Sequence, residues 1–223
     1  HKLDSKWITN NLIPWMQYDV QFKRFAHNLG RDNSENAERN LNSFSFYREF
    51  CKRQIFLQKN KPILSKANPF VFRLDSLMKT FPDAKIVFIV RDPLETIPSY
   101  FSMQEKMKYG NMMTKQELKF YREETYKEII DWYKETEVAQ DKLESKNFVV
   151  FTYQDLTENL EKTIKQFFTF SNQKMTKEFK KILKKTISKK YVKKHQNKTV
   201  SDFGLSDKKI RRDFDFVYEK YFN

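Results

Sequence analysis

Glycine is scarce in this chain: Gly30, Gly110 and Gly204 are the three in 223 residues. None stands in a Gly-x-x-x-x-Gly frame, so the sequence carries no glycine-rich loop whose backbone N–H groups would cradle a phosphate. A glycine/serine linker is missing too, as is any internal repeat. Cysteine is scarcer still. Cys51 alone leaves no internal disulfide and no cysteine-based zinc site, and a reduced, cytoplasmic setting is the expectation. No apolar run approaches the roughly 18 to 20 residues that cross a bilayer. The stretch HKLDSKW at the amino end lacks the apolar core of a signal peptide, so the chain reads as soluble. No helix-turn-helix or RNA-binding signature is present, which leaves a nucleic-acid partner with charge alone in its favour.

Apolar bulk and positive charge are plentiful. Hydrophobic residues make up 39%, with 22 phenylalanines, and 43 Lys+Arg against 29 Asp+Glu give a formal charge of +14. Such a field attracts anions, whether a sulfated or acidic substrate, a phosphate-bearing nucleotide or an anionic lipid surface. The length suits one well-cored domain spanning 1–223, with a mostly helical segment at 1–60 and an α/β core at 61–223.

Three apolar runs read as strands: KPILS at 61–65, KIVFIV at 85–90 and NFVVFTY at 147–153. Each is apolar on consecutive positions, the pattern of strands covered on both faces, and a parallel sheet is implied. Helical spacing lies between them, in Leu74, Leu77, Met78 and Phe81 and again in Leu118, Tyr121, Ile129, Ile130 and Tyr133. Strands alternating with helices predict an α/β fold with an open, mainly parallel sheet flanked by helices. Earlier, Leu41, Phe44, Tyr47, Cys51 and Ile55 share one helical stripe, after the loop candidate AHNLGRDNSEN at 26–36.

Helix starts are written locally. Asn68-Pro69 and Asp92-Pro93-Leu94-Glu95 each place a capping residue before a proline, and Glu95 is spaced to complete a capping box. Asp155 or Thr157 would cap a helix burying Leu160, Ile164, Phe167 and Phe168. Ser206 would cap another with Ile210, Phe214, Val217, Tyr218 and Tyr221 on one stripe. Pro98 is expected to bend the helix that follows Asp92.

The run KIVFIV breaks within two residues into Arg91-Asp92-Pro93. In open α/β sheets, ligands sit beyond the carboxyl ends of the strands, near helix N-termini that favour anions. Arg91 stands at that edge with a planar fork that matches phosphate oxygens. Ser99 lies roughly 10 Å along the helix at 1.5 Å per residue, within reach of a shared anion. Two readings stand at this point: a phosphate anchor, or an arginine that caps a neighbour beside an ordinary serine.

FPDAKIVFIVRDPLETIPSYFS resembles the sulfotransferase signature, in which a strand runs into Arg-Asp-Pro or Arg-Asn-Pro and a serine follows eight residues after the arginine. ILSKANPFVFRLDSLMKTFPDA is similar to the Lys-Ser-Pro or Lys-Asn-Pro element of the bacterial-type branch, VFTYQDLTENLEKTI to its Tyr-Glu-Asp-Leu turn, and HQNKTVSDFGLSDKKIRRDFDFVYEKYF to its closing segment. These ordered blocks cover most of residues 61–223. The resemblance implies a P-loop NTPase-like sulfotransferase fold and 3′-phosphoadenosine 5′-phosphosulfate (PAPS) as donor, leaving adenosine 3′,5′-bisphosphate, with no metal. It implies further that Arg91 and Ser99 bind the 3′-phosphate. Lys66 matches the lysine of the Lys-x-Pro element, although SKANP carries one extra residue before the proline, and it would contact donor or substrate.

Sulfotransferases of this type open with a strand and a Gly-Ser/Thr-rich loop for the 5′-phosphosulfate. The expectation is that residues before His1 supply it; the alternative is a non-catalytic binding protein on the same scaffold, holding a nucleotide or acidic partner. The general base would come from His27, Glu35 or Glu38, in or beside the loop before the sheet. His195 matches the tail segment in which the family contacts substrate or cofactor. The acceptor would be a small molecule, lipid or glycan bearing a hydroxyl or amine, with no nucleic-acid partner. Between 174 and 198 stand eleven lysines and one acid, Glu178. This basic amphipathic stretch could touch an anionic membrane or acidic glycan, or could be a solvated face over a core stripe.

Overall fold

The computed structural model describes residues 31–32, 37–59, 61–106, 114–188 and 198–222. The chain divides into two compact units, 1–84 and 85–223.

In the first unit, helix α1 spans Ala37–Leu57 and buries Phe44, Tyr47 and Cys51, three members of the apolar stripe. A 3-10 turn over Asn68–Arg73 leads into α2, Leu74–Thr80, so the proline-marked start is tighter than an α-helix and begins after Ala67. The rings of Phe44 and Tyr47 meet Phe70 edge-on at 5.2 and 5.6 Å, tying α1 to that turn. Asp32 closes the unit: its carboxylate accepts from the Ser76 backbone N–H at 2.8 Å, the Ser76 hydroxyl at 2.6 Å and Asn40 at 3.0 Å. Arg73 is buried with its guanidinium 4.6 Å above the Phe44 ring. Burial lowers its pKa to about 10, against the opposing pull of Asp32.

The expected strand at 61–65 does not form; residues 61–67 have no regular structure. Its apolar side chains stay open, with Leu64 75% and Ile63 38% exposed, and among the described residues no ladder partner pairs with its backbone. A five-residue apolar run has no conformation of its own without a neighbouring strand.

In the second unit, β1 (Ile86–Val90) pairs in parallel with β2 (Phe148–Thr152) in the register Ile86↔Phe148 through Val90↔Thr152. Between them run α3 (Pro93–Lys106) and α4 (Lys115–Lys142), the latter opened by a complete capping box of Thr114 and Glu117. After β2 come α5 (Tyr153–Glu158), α6 (Leu160–Phe170) and α7 (Lys177–Ile187). A 3-10 turn over Val200–Phe203 precedes α8 (Asp207–Asp213) and α9 (Asp215–Tyr221). The described chain is thus mostly helical around a small parallel sheet.

A buried cluster packs on the face of the sheet that carries Val90 and Val150, and Phe151 is buried on the opposite face. Val90 packs with Ile97, Ile129, Ile210, Phe214 and Val217, the last five fully buried, and Tyr133 meets Phe214 edge-on at 5.4 Å. Each such side chain contributes about 1.5–3 kcal/mol through burial. Coverage of both strand faces was the expectation, yet Ile89 is 55% exposed. Pro98 sits fully buried inside α3. The lysines of α7 line its exposed side, while Leu183 is buried and Phe179 packs on Phe168 of α6 at 5.0 Å. Among the described residues no helix is long and apolar enough to cross a membrane.

Candidate functional site

The site begins where β1 stops. Because Val90 pairs with Thr152, the next residue of each strand, Arg91 and Tyr153, leaves the sheet at the same carboxyl edge. The Arg91 guanidinium lies 4.8 Å from the centre of the Tyr153 ring. Its Nε donates to Glu95 Oε2 at 3.0 Å, and its Nη2 lies 3.0 Å from the same oxygen in an ion pair. Glu95, expected to serve a capping box, therefore holds the arginine one turn along α3. Ser99 follows another turn on, half-buried; side chains four apart on a helix are about 5–6 Å from each other. Glu95 and Ser99 are thus neighbours on α3, and Arg91, which precedes the helix cap, is tied to the first of them.

The turn that carries Arg91 is pinned from two distant helices. Asp92 caps α3 through its Oδ1, which accepts from the Leu94 N–H at 2.8 Å, and through its carbonyl, which accepts from Glu95 and Thr96. Tyr218 of α9 donates to the same Oδ1 at 2.6 Å. Tyr133 of α4 donates to the Arg91 carbonyl at 2.5 Å and lies 3.0 Å from the Thr96 hydroxyl. Burial pushes the pKa of both phenols well up, and the Asp92 carboxylate adds to this for Tyr218. Both therefore stay protonated donors at neutral pH. Neither tyrosine was visible as a site residue in the sequence; each appears there only as a member of a core stripe.

The YQDL turn belongs to the same edge, with different caps from those expected. Thr152 is the N-cap of α5, accepting from the Asp155 N–H at 3.0 Å, while the Asp155 carboxylate returns to the Thr152 N–H at 3.0 Å. Asp155 is the third helical residue of a capping box, and α6 starts separately after Asn159.

Lys66 is exposed in the irregular segment of the first unit, and Glu38 is exposed in the first turn of α1. His27, Glu35 and His195 lie outside the described residues.

The sequence model of the sulfotransferase family matches residues 6–177, and the chain belongs to that family. Over 116 residues it is 21% identical to omega-hydroxy-beta-dihydromenaquinone-9 sulfotransferase of Mycobacterium bovis (strain ATCC BAA-935 / AF2122/97), covering 52% of this chain and 30% of the relative. The protein of the same name from Mycobacterium tuberculosis (strain CDC 1551 / Oshkosh) matches at the same identity and coverage. The match thus spans under a third of the relatives' own length. No solved structure matches the chain.

Proposed function

We propose that this chain transfers a sulfuryl group from PAPS to a hydroxyl or amine acceptor, with Arg91 and Ser99 gripping the 3′-phosphate of the donor. The observation that carries this reading is the placement of Arg91 at the carboxyl edge of a parallel strand, its backbone fixed by Tyr133 and its helix cap fixed by Tyr218. A permanently charged fork on a fixed backbone is what binding a doubly charged group requires. Lys66 and His195 are further candidates for donor contact. Lys66, His27 and Glu35 are the candidates for the chemical step. In that step the acceptor oxygen or nitrogen attacks sulfur in line, the bond from sulfur to the bridging phosphate oxygen breaks, and a base takes the acceptor's proton. Position and electrostatics supply most of the acceleration, as in phosphoryl transfer. The curated relatives are named for a hydroxylated menaquinone, so a lipid-like alcohol is the acceptor class to try first.

Arg91→Ala is expected to weaken binding of adenosine 3′,5′-bisphosphate more than tenfold, since about 1.4 kcal/mol of lost charge-assisted bonding is a factor of ten. Calorimetric titration, with the unfolding midpoint as a check on folding, reads this directly. Equal affinity in the variant would remove Arg91 from the site. The wild-type midpoint should rise with adenosine 3′,5′-bisphosphate and stay put with adenosine 5′-phosphate. The scarcity of glycine supports a second reading, a nucleotide-binding protein without turnover. Transfer of labelled sulfate from PAPS to any acceptor rules it out.

A further inference from the structure

We infer that Tyr153 and Glu95 are positioning residues, which hold the Arg91 guanidinium in one place and one rotation so that its Nη1 edge faces the 3′-phosphate; this rests on the nucleotide reading above. An arginine side chain turns about several bonds, and ordering it at the moment of binding subtracts from affinity. Here two contacts order it beforehand. The Arg91 guanidinium carbon sits over the Tyr153 ring, 4.8 Å from its centre, a cation–π contact that holds the head group beside the ring. Glu95 fixes its rotation. The Nε hydrogen bond and the Nη2 ion pair both fall on the single oxygen Oε2, on the Nε and Nη2 side of the fork.

Of the five N–H donors of a guanidinium, the two on Nη1 carry no hydrogen bond among the described residues, and Nη2 keeps its second hydrogen. Those donors form the end-on edge that takes two phosphate oxygens at once. The same tether draws the fork onto the first turn of α3, and Ser99 stands one turn further along that helix. The side chain retains 26% exposure, enough for an anion to reach that edge. Strand register explains why Tyr153 is available at all: it is the residue after Thr152, whose partner is Val90, the residue before Arg91. A ring at this position is held beside the arginine by the sheet itself, independently of the helix that carries Glu95.

The test is calorimetric titration of adenosine 3′,5′-bisphosphate into the full chain and into Arg91→Ala, Tyr153→Leu, Tyr153→Phe and Glu95→Ala, with each unfolding midpoint recorded. Tyr153→Leu and Glu95→Ala should each weaken binding about 3- to 10-fold, the range set by one cation–π or one ion-pair contact. Tyr153→Phe, which keeps the ring, should stay within about twofold of wild type. Adding Tyr153→Leu or Glu95→Ala to Arg91→Ala should cost nothing further, because residues that act through Arg91 have nothing left to position. A general structural role would instead weaken binding in both backgrounds, and that additive outcome overturns the inference. So does tighter binding by Glu95→Ala, which would make the glutamate a competitor of the phosphate. If Arg91→Ala binds as wild type, the nucleotide reading itself falls. If Arg91→Ala binds weakly while Tyr153→Leu and Glu95→Ala bind as wild type, the reading stands and the positioning roles are lost.

Discussion

Removing one oxygen from Tyr133 isolates the contribution of the deepest hydrogen bond at the candidate site. The phenol is 9% exposed and donates to the Arg91 carbonyl at 2.5 Å. Its single hydrogen is committed there, so the Thr96 hydroxyl at 3.0 Å is the donor to the phenol oxygen. Tyr133→Phe therefore leaves a carbonyl without its acceptor bond filled and a hydroxyl without its acceptor. Each loss costs about 1 kcal/mol or somewhat more for a group kept from water. Because Thr96 can rotate toward other oxygens of its own helix, about 1.5–2 kcal/mol is the expected total. For a chain of this size that lowers the midpoint by roughly 3–8 °C, at 2–4 °C per kcal/mol. Urea unfolding of both proteins is the assay: the midpoint should fall with the slope unchanged. The Thr96→Val variant should be partly redundant with Tyr133→Phe, with a coupling of about 0.5–1 kcal/mol in a double-mutant cycle. A loss under about 0.3 kcal/mol, or full additivity with Thr96→Val, would refute the claim that this bond fixes the turn.

Two further effects are measurable in the same chain. Gly204 ends the 3-10 turn at φ 73, with nothing within 4 Å of an added Cβ, so Gly204→Ala isolates pure backbone strain; it should cost about 1–2 kcal/mol by chemical denaturation. Burial alone would raise the Asp213 pKa, but hydrogen bonds from Lys209, Tyr126 and Arg212 hold it below the usual carboxylate value. With the folded pKa depressed, its stabilising contribution is complete above the unfolded value, about 3.9, and is lost as pH falls through the folded one. Denaturation from pH 6 down to pH 2 should show this loss in wild type and a shallower loss in Asp213→Asn.

Local signals were legible where one residue type has one use. Ser206 caps α8 as its spacing predicts, accepting from the Lys209 N–H at 3.2 Å, and Ile210, Phe214 and Val217 are completely buried. The runs at 85–90 and 147–153 hold the two strands because each finds the other. KPILS, of similar composition, forms no strand among the described residues, since pairing and not propensity decides so short a segment. At the site, the abrupt turn from strand to Arg-Asp-Pro marked Arg91. Its supports were hidden for a geometric reason: Tyr133 and Tyr218 reach the turn across 42 and 126 residues of chain. Helical periodicity says that a tyrosine faces inward and is silent on which oxygen its hydroxyl meets. The caps of α5 were misread because Thr152 reads as the last residue of a strand while also serving as the cap of a helix.

The bond from Tyr218 to Asp92 also sets an order in time. A ribosome adds about 5–20 residues per second, so the 126 residues between them take roughly 6–25 s to synthesise. Throughout that interval the nascent polypeptide carries the arginine turn without this fastener.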